Sequence, residues 1–252
     1  MTPIQQLMLG VGASEKTYMD DVFSSYLWKG DGSARSINTG VDMTEGGLTW
    51  IRRRNQATDH YLYDTVSGAT KYLNSNDSVA QQTDTATLTA FNNNGFSLGT
   101  NGGVNGDGND FVGWTFRKAP GFFDVVTYTG NYTAGKQVAH SLGCVPGLIM
   151  VKCTSAAKHW AVYHRETGAT HYSVLNSNAV AVDSDGRWND ANPTSTHFTV
   201  GTSGSVNDAG ETYVAYLFAG GESTAATARS VDFDGTGDYL SIADNADFDF
   251  GT

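Results

Sequence analysis

Short apolar runs separated by glycine- and asparagine-rich turns are the main pattern along this chain. The runs cover residues 26–29, 48–53, 60–63, 87–91 and 111–116 in the first half, and 125–129, 148–152, 160–164, 197–200 and 212–218 in the second. Their apolar residues alternate with polar ones or continue without a break, which is typical of half-buried and buried strands. Few stretches carry the 3.6-residue spacing of a helix. The pattern predicts an all-β protein.

The runs also repeat, with a period of about 100 residues. The segment GLTWI at 47–51 returns as GLIMV at 147–151, FSLGT at 96–100 returns as FTVGT at 198–202, and VGWTF at 112–116 returns as VAYLF at 214–218. This period is longer than the roughly 20–50 residues of a solenoid unit, so we expect each copy to hold its own core. The sequence therefore predicts a tandem duplication of a whole domain.

Seven or eight short strands in roughly 100 residues favour a sandwich of two packed sheets. We predict two tandem antiparallel β-sandwich domains of jelly-roll-like type, at residues 22–119 and 120–220. Residues 1–21 precede the repeat. Residues 221–229 are small and polar, as in a linker, and residues 230–252 carry two strand-like pieces that predict the start of a third sandwich.

Composition and charge exclude several classes of function. The 252 residues carry a net charge of −11, which argues against a nucleic-acid surface, and Arg52-Arg53-Arg54 is expected to be the solvated end of a strand. No apolar run approaches the roughly 20 residues that span a bilayer. The two cysteines, Cys144 and Cys153, are too few for a disulfide framework and are expected to be free thiols.

The N-terminal segment carries apolar side chains that it cannot bury by itself. Ile4, Leu7, Met8 and Leu9 lie in a glycine-punctuated stretch outside the repeat. The segment either drapes over the first domain or docks into a neighbouring protein, and we favour docking because large exposed apolar patches are rare. These four residues are our candidates for an anchor.

No candidate catalytic residues, metal ligands or cofactor-binding residues are predicted. His159, His164 and His171 lack the spacing of a zinc site and are expected to face solvent on strands. The aspartates between 232 and 249 lack the spacing of a calcium loop, so turn formation is their expected role. No strand–Gly-x-Ser-x-Gly–helix motif is present, and no facing carboxylate pair can be named. We expect a protein that is not an enzyme.

Aromatic residues at turns and strand ends are the remaining candidate site. Trp160 and Trp188 could stack on sugar rings, although burial in strands is the simpler expectation for most aromatics. Trp188 lies in the loop 186–190 and has the least obvious core role. We therefore treat Trp188 and Trp160 as weak candidates for carbohydrate binding.

Three stretches resemble structural proteins of tailed bacteriophages, in particular marine phages that infect cyanobacteria and related bacteria. They are QQLMLGVGA at 5–13 with YMDDVFS at 18–24, WTFRKAPGFFDVVTYTG at 114–130, and residues 143–152 followed by VYHR at 162–165. The tail from Ser230 is similar to the first strands of laminin-G or concanavalin-like lectin domains, which open with Phe-Asp-Gly and Asp-Tyr-Leu.

The phage resemblance implies a non-catalytic virion protein of the tail-fibre or surface-appendage kind that contributes to host attachment and is assembled in the host cytoplasm. It implies anchoring of the N-terminal segment to other tail, baseplate or capsid proteins. It also implies a homo-oligomer, with a trimer favoured, and contact with a host surface glycan. The alternatives are a lectin-like carbohydrate-binding module acting alone and a polysaccharide depolymerase.

Overall fold

The computed structural model describes residues 17–221, and these residues form an all-β protein with several antiparallel sheets and only short helices. The predicted fold class is therefore confirmed. The proposed anchor residues Ile4, Leu7, Met8 and Leu9 and the lectin-like start at 230–252 lie outside the described residues. No helix within residues 17–221 is long and apolar enough to cross a membrane.

The first copy contains nine strands and two short helices. One helix precedes the first strand, and the other precedes the last strand. In chain order these are α1 (Met19–Val22), β1 (Phe23–Lys29), β2 (Arg35–Asn38), a 3-10 turn (Met43–Glu45), β3 (Gly47–Arg53), β4 (His60–Asp64), β5 (Lys71–Asn74), β6 (Gln82–Thr83), β7 (Leu88–Asn92), β8 (Gly95–Leu98), α2 (Gly102–Asn105) and β9 (Asp110–Arg117).

The second copy repeats this scheme. Its elements are β10 (Phe123–Thr129), β11 (Lys136–Ala139), β12 (Pro146–Cys153), β13 (Ala161–His164), β14 (His171–Tyr172), β15 (Val182–Asp183), α3 (Asp185–Trp188), β16 (His197–Val200), α4 (Gly204–Asn207) and β17 (Thr212–Ala219). Every apolar run of the sequence falls on a strand. The strands that the pattern missed, such as β2 and β11, are short and half polar.

The main sheets of the two copies share the order of four strands, and β14 and β15 form a separate two-stranded sheet in the second copy. The main sheet of the first copy has the order β1-β9-β3-β4-β5-β6, and that of the second copy has the order β10-β17-β12-β13. A smaller sheet accompanies each one, β2-β8-β7 in the first copy and β11-β16 in the second. Since β1, β9, β3 and β4 correspond in sequence to β10, β17, β12 and β13, the duplication extends to strand order.

Each copy encloses a core between its main sheet and its small sheet. In the first copy Trp28, Ile37, Ile51, Tyr63 and Phe96 belong to one buried cluster. In the second copy Val138, Ile149, Val151, Phe198 and Leu217 belong to another. The prediction that each copy holds its own core agrees with this arrangement.

A third core, which the sequence did not predict, lies between the two copies. Leu48, Leu62 and Leu73 of the first main sheet pack with Phe123, Val125, Met150, Val162, Val214 and Tyr216 of the second. The main sheets therefore pack back to back, and the small sheets lie outside them. The repeat suggested two self-sufficient modules in tandem, and the structure adds an apolar contact between their main sheets. The copies form one compact unit.

Buried polar groups recur at the same positions of both copies. Trp28 Nε1 donates to the carbonyl of Val104 at 3.3 Å, and Tyr128 OH donates to the carbonyl of Val206 at 2.7 Å. The fully buried Asn105 and Asn207 follow those carbonyls in α2 and α4. A buried amide must find partners, so these positions fix the same loop in each copy. Cys144 and Cys153 are free thiols, as expected.

Candidate functional site

Neither tryptophan that the sequence singled out is accessible to a sugar. Trp188 is 1 % exposed and Trp160 is fully buried. Trp188 lies in the second copy's own core with its ring edge-on to Tyr163. Stacking on a sugar needs an exposed ring face, so the prediction of carbohydrate binding by Trp160 and Trp188 is wrong. Trp188 is buried because α3 turns its side chain inward.

Trp160 instead belongs to the joint between the copies. Its Nε1 donates to the carbonyl of Asn74 in the first copy at 2.8 Å, and its ring packs beside Tyr216 in the third core. The residue that the pattern treated as a possible binding platform therefore connects two sheets.

The three histidines lie apart from any metal-binding arrangement within residues 17–221. His159 Nδ1 pairs with the side chain of Asn176 at 2.9 Å, His164 Nδ1 accepts from the backbone of Glu166 at 3.3 Å, and His171 Nδ1 pairs with Thr170 at 2.9 Å. No group of three His, Cys, Asp or Glu side chains that could hold a metal is found among these residues. The aspartates at 232–249 lie outside the described part of the chain.

Three buried ionisable residues make hydrogen bonds across the joint between the copies. Tyr216 OH, from the second copy, donates to Asp64 Oδ2 of the first at 2.8 Å, and both residues are buried. Burial raises the pKa of the Asp64 carboxyl. Lys152 is fully buried as well, and its Nζ donates to the Ser78 carbonyl of the first copy at 3.1 Å and to the Cys153 carbonyl at 3.3 Å. Burial lowers its pKa to about 8.

Asp64, Tyr216 and Lys152 are buried, and their hydrogen bonds connect one copy to the other. Perturbed pKa values mark functional sites only when a ligand can reach them, because structural networks perturb pKa values too. We therefore assign Asp64, Tyr216 and Lys152 to the joint.

A different surface, on the first main sheet, combines partly exposed aromatic rings with cations. Trp50 on β3 and Trp114 on β9 are direct partners in the strand register. Their ring centroids lie 6.1 Å apart at an interplanar angle of 79°, and both residues remain partly exposed. Ser25 of β1 pairs with Trp114 in the same row and is exposed.

The next row of the same sheet face adds a cation. Side chains two residues apart on a strand share a face, so Arg52 lies on the face of Trp50 and Leu27 on that of Ser25. Leu27 and Arg52 both pair with Val112 in the register, Leu27 is 55 % exposed, and Arg52 is exposed. Lys29, two residues after Leu27, is exposed opposite Asp110. We call Ser25, Leu27, Lys29, Trp50, Arg52 and Trp114 the cationic aromatic face.

This face stays open because the second main sheet covers only part of the first. The edge strand β10 packs over β3 and β9, which leaves the β1 side of the sheet exposed. The corresponding residues of the second copy, Met150 for Trp50 and Tyr216 for Trp114, are buried in the joint. The second copy thus buries the positions that match Trp50 and Trp114, and the first copy leaves both tryptophans partly exposed.

Arg53 does not belong to the cationic aromatic face. Successive side chains of a strand point to opposite faces of the sheet, so Arg53 lies on the face opposite to Arg52. Its guanidinium lies 5.8 Å from the ring centroid of Phe111 and donates to Gln56 at 2.7 Å. Arg52 and Arg54 are exposed, as expected for the solvated end of a strand. The sequence could have indicated this face only through Trp50 and Arg52 two positions apart, because the pairing with Trp114 depends on the register.

A family model described as Domain of unknown function (DUF7483) matches residues 19–227. The match spans both copies, in agreement with the single compact unit. No curated protein and no solved structure matches the chain. The description of this family names no activity.

Proposed function

Starting from a chain that belongs to the family described as Domain of unknown function (DUF7483), we propose that this protein is a non-catalytic structural protein of a tailed-bacteriophage virion. Its place is a tail fibre or surface appendage that contributes to host attachment. The resemblance of residues 5–13, 18–24, 114–130, 143–152 and 162–165 to structural proteins of tailed phages supports this proposal.

The observation that carries the proposal is the third core between the copies. A part that transmits load between a particle and a cell must not bend at an internal linker. Here ten buried apolar residues from both copies form one cluster. Hydrogen bonds from Tyr216, Trp160 and Lys152 to the first copy fix the orientation of the two sheets at this cluster. Domains that share a large apolar interface move little against each other. Such stiffness suits a structural element.

The partners in this proposal are other virion proteins of the tail, baseplate or capsid. Ile4, Leu7, Met8 and Leu9 would supply the anchor, and further copies of the chain would complete a homo-oligomer, with a trimer favoured. The exposed edge of β1, with Tyr26 39 % and Leu27 55 % exposed, supports oligomerisation because an unpaired strand edge can join another chain. Light scattering on the full-length protein measures the number of subunits.

Labelling of the protein in intact particles tests the function directly. Antibodies against residues 17–221 are expected to label purified virions at a tail or surface appendage. Particles assembled with a chain lacking residues 1–20 are expected to lose the protein, and the alanine variant of the exposed Asn178 serves as the incorporation control. Absence of the wild-type protein from virions would contradict the proposal, and unchanged incorporation of the truncated chain would contradict the anchor alone.

A carbohydrate-binding module acting alone is the second candidate function. The partly exposed pair Trp50 and Trp114 favours it, since aromatic faces with an adjacent polar rim are common at binding surfaces. A glycan array distinguishes the two functions, because sugar binding by a protein that is absent from particles would favour the lectin. Release of reducing ends from host polysaccharide would instead reveal a depolymerase.

A further inference from the structure

We infer that the cationic aromatic face binds an acidic glycan whose sugars carry carboxylates, such as a polysaccharide containing uronic acids. The inference deepens the attachment role proposed above and rests on it. It assigns the binding to the first copy, at the side of the main sheet that the second copy leaves uncovered.

The aromatic half of the surface is formed by Trp50 and Trp114. Their rings are perpendicular, at 79°, so one ring can present its face while the other closes one side of the surface. Indole rings offer a large apolar surface and lose little conformational entropy on binding. Nε1 of Trp50 is itself buried, so Trp50 contributes the apolar part of its ring. The exposed Leu27 and Ser25 lie beside Trp114 on β1, where they add an apolar contact and a hydroxyl.

The cationic half of the surface lies one row along the same strands. Arg52 follows Trp50 by two residues, which corresponds to about 7 Å along a strand, close enough for one saccharide unit to contact both. A guanidinium binds a carboxylate through two parallel hydrogen bonds. No carboxylate lies within ion-pair distance of Arg52 or Lys29 in the described part of the chain. Asp110 stands opposite Lys29 in the register, so Arg52 is the main carboxylate ligand.

Charge complementarity selects the occupant. The chain has a net charge of −11, so it attracts an acidic glycan only where cations cluster. Arg52 and Lys29 supply such a cluster beside the two rings, and the exposed Arg54 lies two residues beyond Arg52. A neutral glycan would leave these cations without a role.

The second copy provides an internal comparison. At the positions of Arg52 and Lys29 it carries Lys152, which is buried and bonded to Ser78, and Thr129. Trp50 and Trp114 correspond to Met150 and Tyr216 of the joint. The second copy therefore has no exposed aromatic ring or cation at these positions, and this difference assigns the binding site to the first copy.

Calorimetric titration of the full-length protein with uronic-acid oligosaccharides tests the inference. The probes are oligogalacturonate, the same oligosaccharide with its carboxyls methyl-esterified, and single-stranded DNA of equal charge. The variants are Arg52→Gln, Trp114→Phe and, as a matched control on the small sheet of the second copy, Lys136→Gln. Circular dichroism confirms that each variant is folded.

We expect oligogalacturonate to bind wild type and Lys136→Gln equally, and to bind Arg52→Gln and Trp114→Phe about tenfold more weakly, which is about 1.4 kcal/mol. Esterification or high salt should weaken binding by at least as much. Equal binding of the esterified probe, unchanged binding of both variants, or no binding would overturn the inference, and so would tighter binding of DNA. None of these results depends on the presence of the protein in virions, so the structural proposal can fail or stand independently.

Discussion

Asn207 shows at the scale of a single residue how one buried amide fixes a loop. Its Nδ2 donates to the carbonyls of Gly201 at 2.7 Å and Thr133 at 2.9 Å, and its Oδ1 accepts from the backbone of Asn131 at 2.9 Å. In the first copy, Asn105 Nδ2 donates in the same way to the carbonyls of Gly99 and Ser33. The two loops of each copy are thus joined by one side chain.

Replacing Asn207 with alanine should therefore destabilise the fold strongly. The buried Gly201 carbonyl, the Thr133 carbonyl and the Asn131 N–H would lose their partner, and we expect a loss of about 2–4 kcal/mol in the free energy of unfolding. Asn178→Ala, at an exposed position, should change it by less than about 0.5 kcal/mol. Urea denaturation measures both, and equal stability of the two variants would show that the amide is unimportant.

Lys152 gives a second prediction at the residue scale, because its pKa is about 8 in the fold and about 10.5 in the unfolded chain. Between these values the unfolded state holds a proton that the folded state has lost, so this group makes stability rise with pH. Below about pH 7 both states are protonated and the cost of burying the cation is fully present.

We expect wild type to gain about 2 kcal/mol relative to Lys152→Met between pH 7 and pH 9.5. The comparison cancels the titration of other groups, including Cys144, whose thiol pKa is raised by burial. Parallel denaturation curves of the two proteins across this range would contradict the low pKa. A gain of the opposite sign would contradict it as well.

At the scale of elements, strands were predictable where they bury side chains and obscure where they do not. The runs at 48–53, 111–116 and 212–218 predicted β3, β9 and β17, since these strands bury side chains on both of their faces. β2 and β11 escaped because only one residue of each, Ile37 or Val138, is buried. A local hydrophobic pattern indicates which residues are buried. A half-exposed strand with one buried residue therefore has almost no such pattern.

The same limit explains the error about Trp160 and Trp188. Sequence placed Trp188 in a polar loop, yet α3 caps on Ser184 and turns the indole into the core. Trp50 and Trp114, by contrast, lie in apolar strands and were expected to be buried. Their partial exposure follows from the offset between the two main sheets, and no local pattern encodes that offset.

The joint between elements of the two copies can be tested with a matched tyrosine pair. Tyr216→Phe removes the hydrogen bond to Asp64 across the joint, whereas Tyr213→Phe removes bonds to Gly204 and Asp208 within the second copy. Both should cost about 1–3 kcal/mol. Only Tyr216→Phe should increase hydrogen exchange in β4 of the first copy. Equal exchange of β4 in both variants would argue against a contribution of this bond to the joint.

At the scale of the whole molecule, the repeat predicted two cores and left the third unforeseen. Matching apolar positions of the repeat were expected to lie in the cores of two separate sandwiches. Examples are Leu48 with Leu148 and Phe116 with Phe218. In the structure all four contribute to the cluster between the main sheets. A duplicated apolar position cannot tell whether its side chain faces its own partner sheet or the other copy, so the sequence left the arrangement of the copies open.

Hydrogen exchange after weakening one copy tests most directly whether the two copies are one mechanical unit. Phe96 is fully buried in the first copy's own core, and Phe96→Ala should cost about 3–5 kcal/mol. If the third core couples the copies, β12 and β17 of the second copy should lose protection to the same extent as β3 and β9 of the first. Unchanged protection of β12 and β17 would show two independent sandwiches and contradict the account.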